Sequence, residues 1–176
     1  MFIENKLILN EKQKCFIDHV LSEKFPWYYQ IAVYGKLNPM IHAHTLMNRH
    51  ESNLDVCGTI NSSYFGEAMS LFNSFCEQNN IEYNTIFRSG INSTTGSKLE
   101  HIGFHKDHDN FQHNVFLMYF NDVSKGDTII SNLLNDGKEI VVKPEKYKAV
   151  VFSGVEHTHT MCDVDERRVV LVITFR

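Results

Sequence analysis

Several features are scarce or missing in this chain of 176 residues, and each absence narrows what it can be. Prolines number only three, and no Pro/Gly/Ser tract, repeat or low-complexity stretch marks a linker, so a single domain over residues 1–176 is expected. The four cysteines, Cys15, Cys57, Cys76 and Cys162, form no Cys-x-x-Cys pair. That pattern excludes a zinc ribbon and fits reduced thiols in a cytoplasmic setting. No apolar run approaches the ~20 residues needed to span a bilayer. The opening "MFIENKLILNEKQK" has an early acidic residue and no apolar core, which argues against a signal peptide. A strong charge excess is also lacking. The net charge of −4 gives no electrostatic footprint for nucleic acid or an anionic membrane, although a local basic groove would not show at this level. The remaining composition, 43% hydrophobic and 22% charged, is ample for a core without staples.

Hydrophobic spacing divides the chain into two characters. "NEKQKCFIDHVLSEK" carries Phe16, Ile17, Val20 and Leu21 on one helical face, with Asn10 as the N-cap. "SSYFGEAMSLFNSFCEQNNI" repeats the pattern at Phe65, Met69, Phe72 and Phe75/Cys76 and closes at Asn79–Asn80. "FPWYYQIAVYG" is aromatic and β-branched, as a strand would be. From residue 81 onward short β-rich runs follow one another: "EYNTIFRSGI", "IGFHKD", "NVFLMYF", "GDTIIS", "KEIVVKP", "KAVVFSG" and "RRVVLVITFR". Turn residues separate them at Asn121–Asp122, Asn135–Asp136–Gly137, Pro144 and Gly154. Such spacing predicts an antiparallel sandwich or barrel. The expected layout is a helical support region, 1–80, against a β core, 81–176.

The chemistry concentrates in "GFHKDHDNFQHNVFLMYFND", residues 103–122. In a strand, residues i and i+2 share a face, so His105 and Asp107 can aim an imidazole and a carboxylate at one metal ion. The pair is the only His-x-Asp in the chain and, alone, is a weak signal. Context strengthens it. About fifty residues later, "VVFSGVEHTHTMCDVDERRVVLVITFR" ends a strand at Gly154, presents His157 and His159 in a short loop, and starts the last strand at Arg167–Arg168. Two histidines and one carboxylate on one face of an octahedron leave three positions open, the arrangement of non-haem Fe(II) oxygenases. An arginine beyond them suits the far carboxylate of a chelating diacid. Strand alternation favours Arg168, which shares its face with Val170, Val172 and Thr174, over Arg167, which shares its face with Leu171, Ile173 and Phe175. Spacing does not decide between His157 and His159.

Taken together, "FHKDHD", "NVFLMYFND…GDTII", "VVFSG…H" and "RRVVLVITF" resemble, in order, the Fe(II)/2-oxoglutarate-dependent dioxygenases. The resemblance is nearest to the small prolyl-hydroxylase-like members of tailed phages and giant viruses. It covers residues 86–176, and "FPWYYQ" and "HTLMNR" extend it toward the N-terminus. It implies a mainly β, α+β fold, a double-stranded β-helix (jelly roll) with N-terminal supporting helices. It further implies Fe(II), 2-oxoglutarate and O2 as cofactors, and hydroxylation of a prolyl-like peptide or a small molecule. No catalytic residue beyond the metal ligands is implied. The ligands would be His105, Asp107 and, because "HTHTMCDVD" matches the viral pattern with its first histidine, His157. Arg168 and Tyr119 would hold the distal carboxylate of 2-oxoglutarate. Arg88, Asn92, Thr128 and His159 are candidates for the substrate pocket, with Thr128 standing where the family's double-glycine turn has become Gly126-Asp127-Thr128. The implied setting is the cytoplasm, that of the host if the chain is viral. His108, Asp109 and His113 are expected in a solvated loop, and His42, His44 and His50 as ordinary loop or pocket residues. The rival readings are a cupin-like metal protein without 2-oxoglutarate, and a viral structural or binding module that keeps only the fold.

Overall fold

The computed structural model describes residues 1–30, 41–50, 56–97, 100–131 and 137–176. Two helices form where the spacing placed them. Helix α1 spans Glu11–Leu21, and Asn10 caps it by accepting from Gln13 N while the Gln13 side chain accepts from Asn10 N. Helix α2 spans Phe65–Asn79 and ends at Asn80 in the left-handed conformation, φ 53°. No described helix is long and apolar enough to cross a membrane.

The strands, in chain order, are β1 (Phe2–Lys6), β2 (Tyr28–Gln30), β3 (Ile41–Asn48), β4 (Thr59–Ile60), β5 (Ile86–Thr95), β6 (Asn114–Tyr119), β7 (Thr128–Ser131), β8 (Glu139–Val142), β9 (Lys148–Ser153), β10 (His157–His159) and β11 (Arg167–Phe175). They make two antiparallel sheets. The larger runs β1-β9-β6-β11-β5-β3-β2 with β4 added on β3, and the smaller runs β10-β7-β8. This is the jelly-roll class the sequence predicts.

Four differences from the sequence expectations stand out. Residues 1–80 supply four strands, β1 to β4, beside the two helices. The segment "IGFHKD" is a loop, joined to β10 by an isolated bridge between His105 and His157 and by Ile102 N donating to His159 O. His157 and His159 lie on a strand, β10, rather than in a loop. "HAHTLMN" is not a loop either but strand β3, which pairs with the preceding strand β2 and with β5 much further along the chain. Residues 31–35 of "FPWYYQIAVYG", and Asn135–Asp136 of one expected turn, fall outside the described residues.

The larger sheet buries both faces. Alternation along β11 sends Leu171, Ile173 and Phe175 toward the helices, where they meet Ile17, Phe72 and Phe75. Val170 points the other way, into a second apolar cluster with Val115 and Leu117 of β6 and Ile130 and Val142 of the smaller sheet. That inner space between the sheets is where the polar residues of interest are mounted. The outer layer is aromatic: Phe72 is fully buried and packs its ring 5.2 Å from Phe116 and 4.9 Å from Phe175. Truncating Phe72→Ala is expected to cost about 3–5 kcal/mol of unfolding free energy in urea titration, since it opens a cavity between α2 and the sheet. A loss below about 1 kcal/mol would contradict this packing.

Candidate metal centre

Two backbone hydrogen bonds bring the first two candidate ligands together. His105 N donates to His157 O and His157 N donates to His105 O, each at 3.0 Å. In an antiparallel pair of this kind both side chains leave on the same side of the ladder, and the two imidazole centroids lie 4.5 Å apart. Asp107, two residues beyond His105, arrives on the same side. Donor atoms of His105, Asp107 and His157 all fall within 4.8 Å of one another, the only such group among the described residues that includes three potential metal ligands.

The protonation pattern leaves room for a cation. His157 Nδ1 lies 3.0 Å from Val155 O; a carbonyl only accepts, so Nδ1 carries the proton. Burial, above all, lowers the His157 pKa despite the nearby Asp107, so the ring is neutral and Nε2 offers a lone pair. That lone pair faces Asp107 Oδ2 at 3.6 Å. Asp107 Oδ1 accepts from Arg88 at 3.2 Å, whereas Oδ2 is buried with no hydrogen-bond partner. Burial opposes ionisation of Asp107, but the positive charge that faces it, Arg88 included, outweighs it and holds the carboxyl below its usual range. An ionised, unpartnered oxygen facing a nitrogen lone pair is a costly arrangement without a cation between them. The donor set, two nitrogens and one oxygen, suits a divalent transition metal.

The same strand that carries His157 leads to the second part of the site. His159, one i+2 step along β10, lies opposite Thr128 of β7, about 7 Å further along the strand. Thr128 Oγ1 accepts from Arg168 at 2.9 Å and is 2.6 Å from the Tyr119 hydroxyl, which donates to Val142 O at 3.2 Å. Arg168 is 3% exposed. Its other hydrogen bond goes to Gly126 O at 2.9 Å, and its guanidinium lies 5.2 Å from the centre of the Tyr119 ring. Gly126 has φ +108°, and a Cβ there would come within 3.0 Å of Arg168 Cδ, so glycine is needed both for the turn and for the close approach. A buried guanidinium hydrogen-bonded to neutral oxygens is charge awaiting an anion.

A cavity of about 300 Å³ joins the two parts. His105, Asp107 and His157 line it together with Arg168, Thr128, His159, Arg88 and Asn92. Of the sequence candidates, Tyr119 alone is absent from the lining; it sits one layer back, behind Thr128 and Arg168. Arg167 leaves on the opposite face, where it donates to Leu21 O and lies over Trp27. The sequence reading missed Arg49, which donates to Asp107 O at 2.5 Å, and Lys106 and Gln30, which also line the cavity. The quoted segment "HTLMNR" ends at Arg49 but assigns it no role: the residue follows β3, and pairing of β3 with β5 brings it to the site.

His108 and His113 are not solvated. Each is 5% exposed, because the loop folds back onto the sheet and sets His108 Nε2 2.8 Å from Thr174 Oγ1, between Phe87 and Phe111. Asp109 does lie at the surface. His44 is a buried structural residue, bonded to Pro26 O and Ser62 Oγ, and His42 stacks against Tyr29 across the β2–β3 pair.

No protein-family model and no curated protein sequence matches this chain. Solved structures do match in shape. A 2OG-Fe(II) oxygenase family oxidoreductase from Burkholderia pseudomallei superposes with a TM-score of 0.75 at 16% identity, covering 99% of this chain and 84% of its own. A Trichoplax adhaerens prolyl hydroxylase, solved with a peptide fragment of the hypoxia inducible factor oxygen degradation domain, gives 0.68 at 11%, covering 99% and 82%. The viral collagen prolyl hydroxylase of Paramecium Bursaria Chlorella virus-1, solved as a 2OG complex, gives 0.60 at 10%, covering 98% and 94%. The fold is therefore the double-stranded β-helix.

Zn(II) at about 100 times its Kd is expected to raise the melting temperature by about 5–10 °C. Asp107→Asn should abolish that rise and His159→Ala should leave most of it. A rise that survives Asp107→Asn would place the metal elsewhere.

Proposed function

We propose that the protein is a non-haem Fe(II)- and 2-oxoglutarate-dependent dioxygenase that hydroxylates a peptide or small-molecule substrate. The observation that carries this reading is the pairing, in one cavity, of the His105–Asp107–His157 group with a buried Arg168 whose hydrogen-bond partners are neutral oxygens. The likeness in fold to oxygenases, one of them a 2OG complex and one holding a peptide, supports it. Four free thiols support a reducing, cytoplasmic setting.

His157 Nε2, an imidazole nitrogen of His105 and Asp107 Oδ2 would hold Fe(II). When bound, iron and 2-oxoglutarate supply from O2 an oxidant able to insert one oxygen atom into a C–H bond, the second atom ending in succinate as CO2 is released. The chain's own residues set the geometry. Val155 O fixes the ring and tautomer of His157, and Arg88 holds Asp107 Oδ1 so that Oδ2 faces the metal position. Arg168 anchors the distal carboxylate of 2-oxoglutarate, kept in place by Thr128, Gly126 and the Tyr119 ring. Val115, Leu117, Val170 and Val172 line the cavity between the two ends and exclude water from the reacting centre. Arg88 stands on β5 beside the metal position, and Asn92 lines the cavity four residues along the same strand toward the Arg168 end.

Succinate release from 2-oxoglutarate under aerobic conditions, even without added substrate, tests the reading. Arg168→Ala is expected to raise the KM for 2-oxoglutarate by about 10- to 100-fold. A metal-dependent activity indifferent to Arg168→Ala would instead favour a cupin-like protein that makes no use of 2-oxoglutarate.

A further inference from the structure

His105 reaches the metal position from a stretch of chain that does not follow a regular ladder. Two isolated bridges join that stretch to β10, His101 with Thr160 and His105 with His157. Four residue steps separate His101 from His105, but only three separate Thr160 from His157. One extra residue is therefore taken up between the bridges, as in a β-bulge. The hydrogen bonds show where the ladder breaks. Met161 N donates to Glu100 O at 3.0 Å and Ile102 N donates to His159 O at 3.3 Å, as an antiparallel pairing requires. An uninterrupted ladder would return the second of these bonds, from His159 N to Ile102 O. Here the Thr158 hydroxyl donates to Ile102 O at 2.5 Å, and His101 Nδ1 donates to the same carbonyl at 2.6 Å. Both lone pairs of that oxygen are taken, and none is left for His159 N. Thr158 is 1% exposed, and its backbone is fixed from the other side by pairing with Ile129 of β7.

The extra residue decides which side chain stands beside His157. Counted from the His101–Thr160 bridge without it, the partner of His157 would be Phe104. A slip of one residue also turns each following side chain to the opposite face, so His105 would leave the metal position. Phe104 instead lies outside, 40% exposed, with its ring 6.0 Å from that of His101. Resting on the reading of the metal centre given above, we propose that Thr158 is a positioning residue for the metal. Its hydroxyl occupies Ile102 O, blocks the regular ladder, and so selects His105 over Phe104 as the neighbour of His157. Thr158 acts only through the Ile102 carbonyl. Without the hydroxyl, His159 N can complete its bond to Ile102 O, and the ladder zips one residue out of register.

Titration of the full chain with Co(II), followed by visible absorption, tests this, because the absorption reports on the ligands as well as the affinity. Thr158→Val keeps the branched shape but has no hydroxyl; Thr158→Ser keeps the hydroxyl. Thr158→Val is expected to weaken Co(II) binding by about 10- to 100-fold and to shift the absorption toward that of His105→Ala. Thr158→Ser should bind within about threefold of the wild type. A role in stability alone would lower the melting temperature and move neither affinity nor spectrum. Unchanged affinity or an unchanged spectrum in folded Thr158→Val therefore overturns the proposal. So does a Thr158→Ser protein that binds as weakly as His105→Ala, whether or not Thr158→Val folds. Wild-type Co(II) binding that is indifferent to Asp107→Asn overturns instead the reading on which the proposal rests.

Discussion

The pair of backbone hydrogen bonds between His105 and His157 is the contact on which the site depends. His105 belongs to no strand, and β10 is three residues long; neither would hold an imidazole in place by itself. Joined, they fix two rings side by side and deliver Asp107 to the same point. The smaller sheet anchors that joint through β7, which pairs with β10 from His157 to His159. At the entry to β10, Gly154 N donates to His113 O at 2.9 Å, and a Cβ at Gly154 would overlap the His113 ring. The buried His113, close to the His105–Asp107 loop, thus has a packing role: it requires a glycine at the turn that leads into β10.

A second feature is the directed chain of hydrogen bonds from Arg168 to Thr128, from Thr128 to Tyr119, and from Tyr119 to Val142 O. Each hydroxyl accepts once and donates once, so the orientation is determined throughout. Thr128 is the hub. It fixes Arg168, faces His159 across the β7–β10 pair, and ties the guanidinium of the larger sheet to the smaller one. The metal end and the anion end are therefore held by different networks that share one short strand, β10. That arrangement gives the cavity a fixed length between its two charged ends, and side chains too short or too long at either end would lose one contact without disturbing the other.

Much of this was legible in the chain, for definite reasons. The His-x-Asp spacing pointed to the right pair although its reason, a strand of period two, does not hold: the segment is a loop, and the two side chains converge because His105 bridges to His157 while Arg88 holds Asp107. The same period separated Arg168 from Arg167, since Val170 and Val172 look inward while Leu171 and Ile173 look toward the helices. Alternation fails for His157 against His159: they share a face, and only their different partners, His105 for one and Thr128 for the other, tell them apart. Strand β3 was obscured because its alternating residues include His42 and His44, polar in composition but stacked or hydrogen-bonded in place. His108 and His113 looked like loop residues because burial is decided by Thr174, Phe87 and Gly154, all distant in sequence. Arg49 stood in the quoted "HTLMNR" without a role assigned to it, since its place beside Asp107 follows from the pairing of β3 with β5.

The central claim is that one cavity binds a metal at His105, Asp107 and His157 and a diacid chelator reaching to Arg168. Anaerobic visible absorption of the protein with Fe(II), before and after 2-oxoglutarate, tests it most directly. The account predicts a new charge-transfer band on adding 2-oxoglutarate, lost in His157→Ala and kept in His159→Ala. A folded, iron-loaded protein that shows no such band, or one whose band vanishes with His159→Ala and survives His157→Ala, would contradict it.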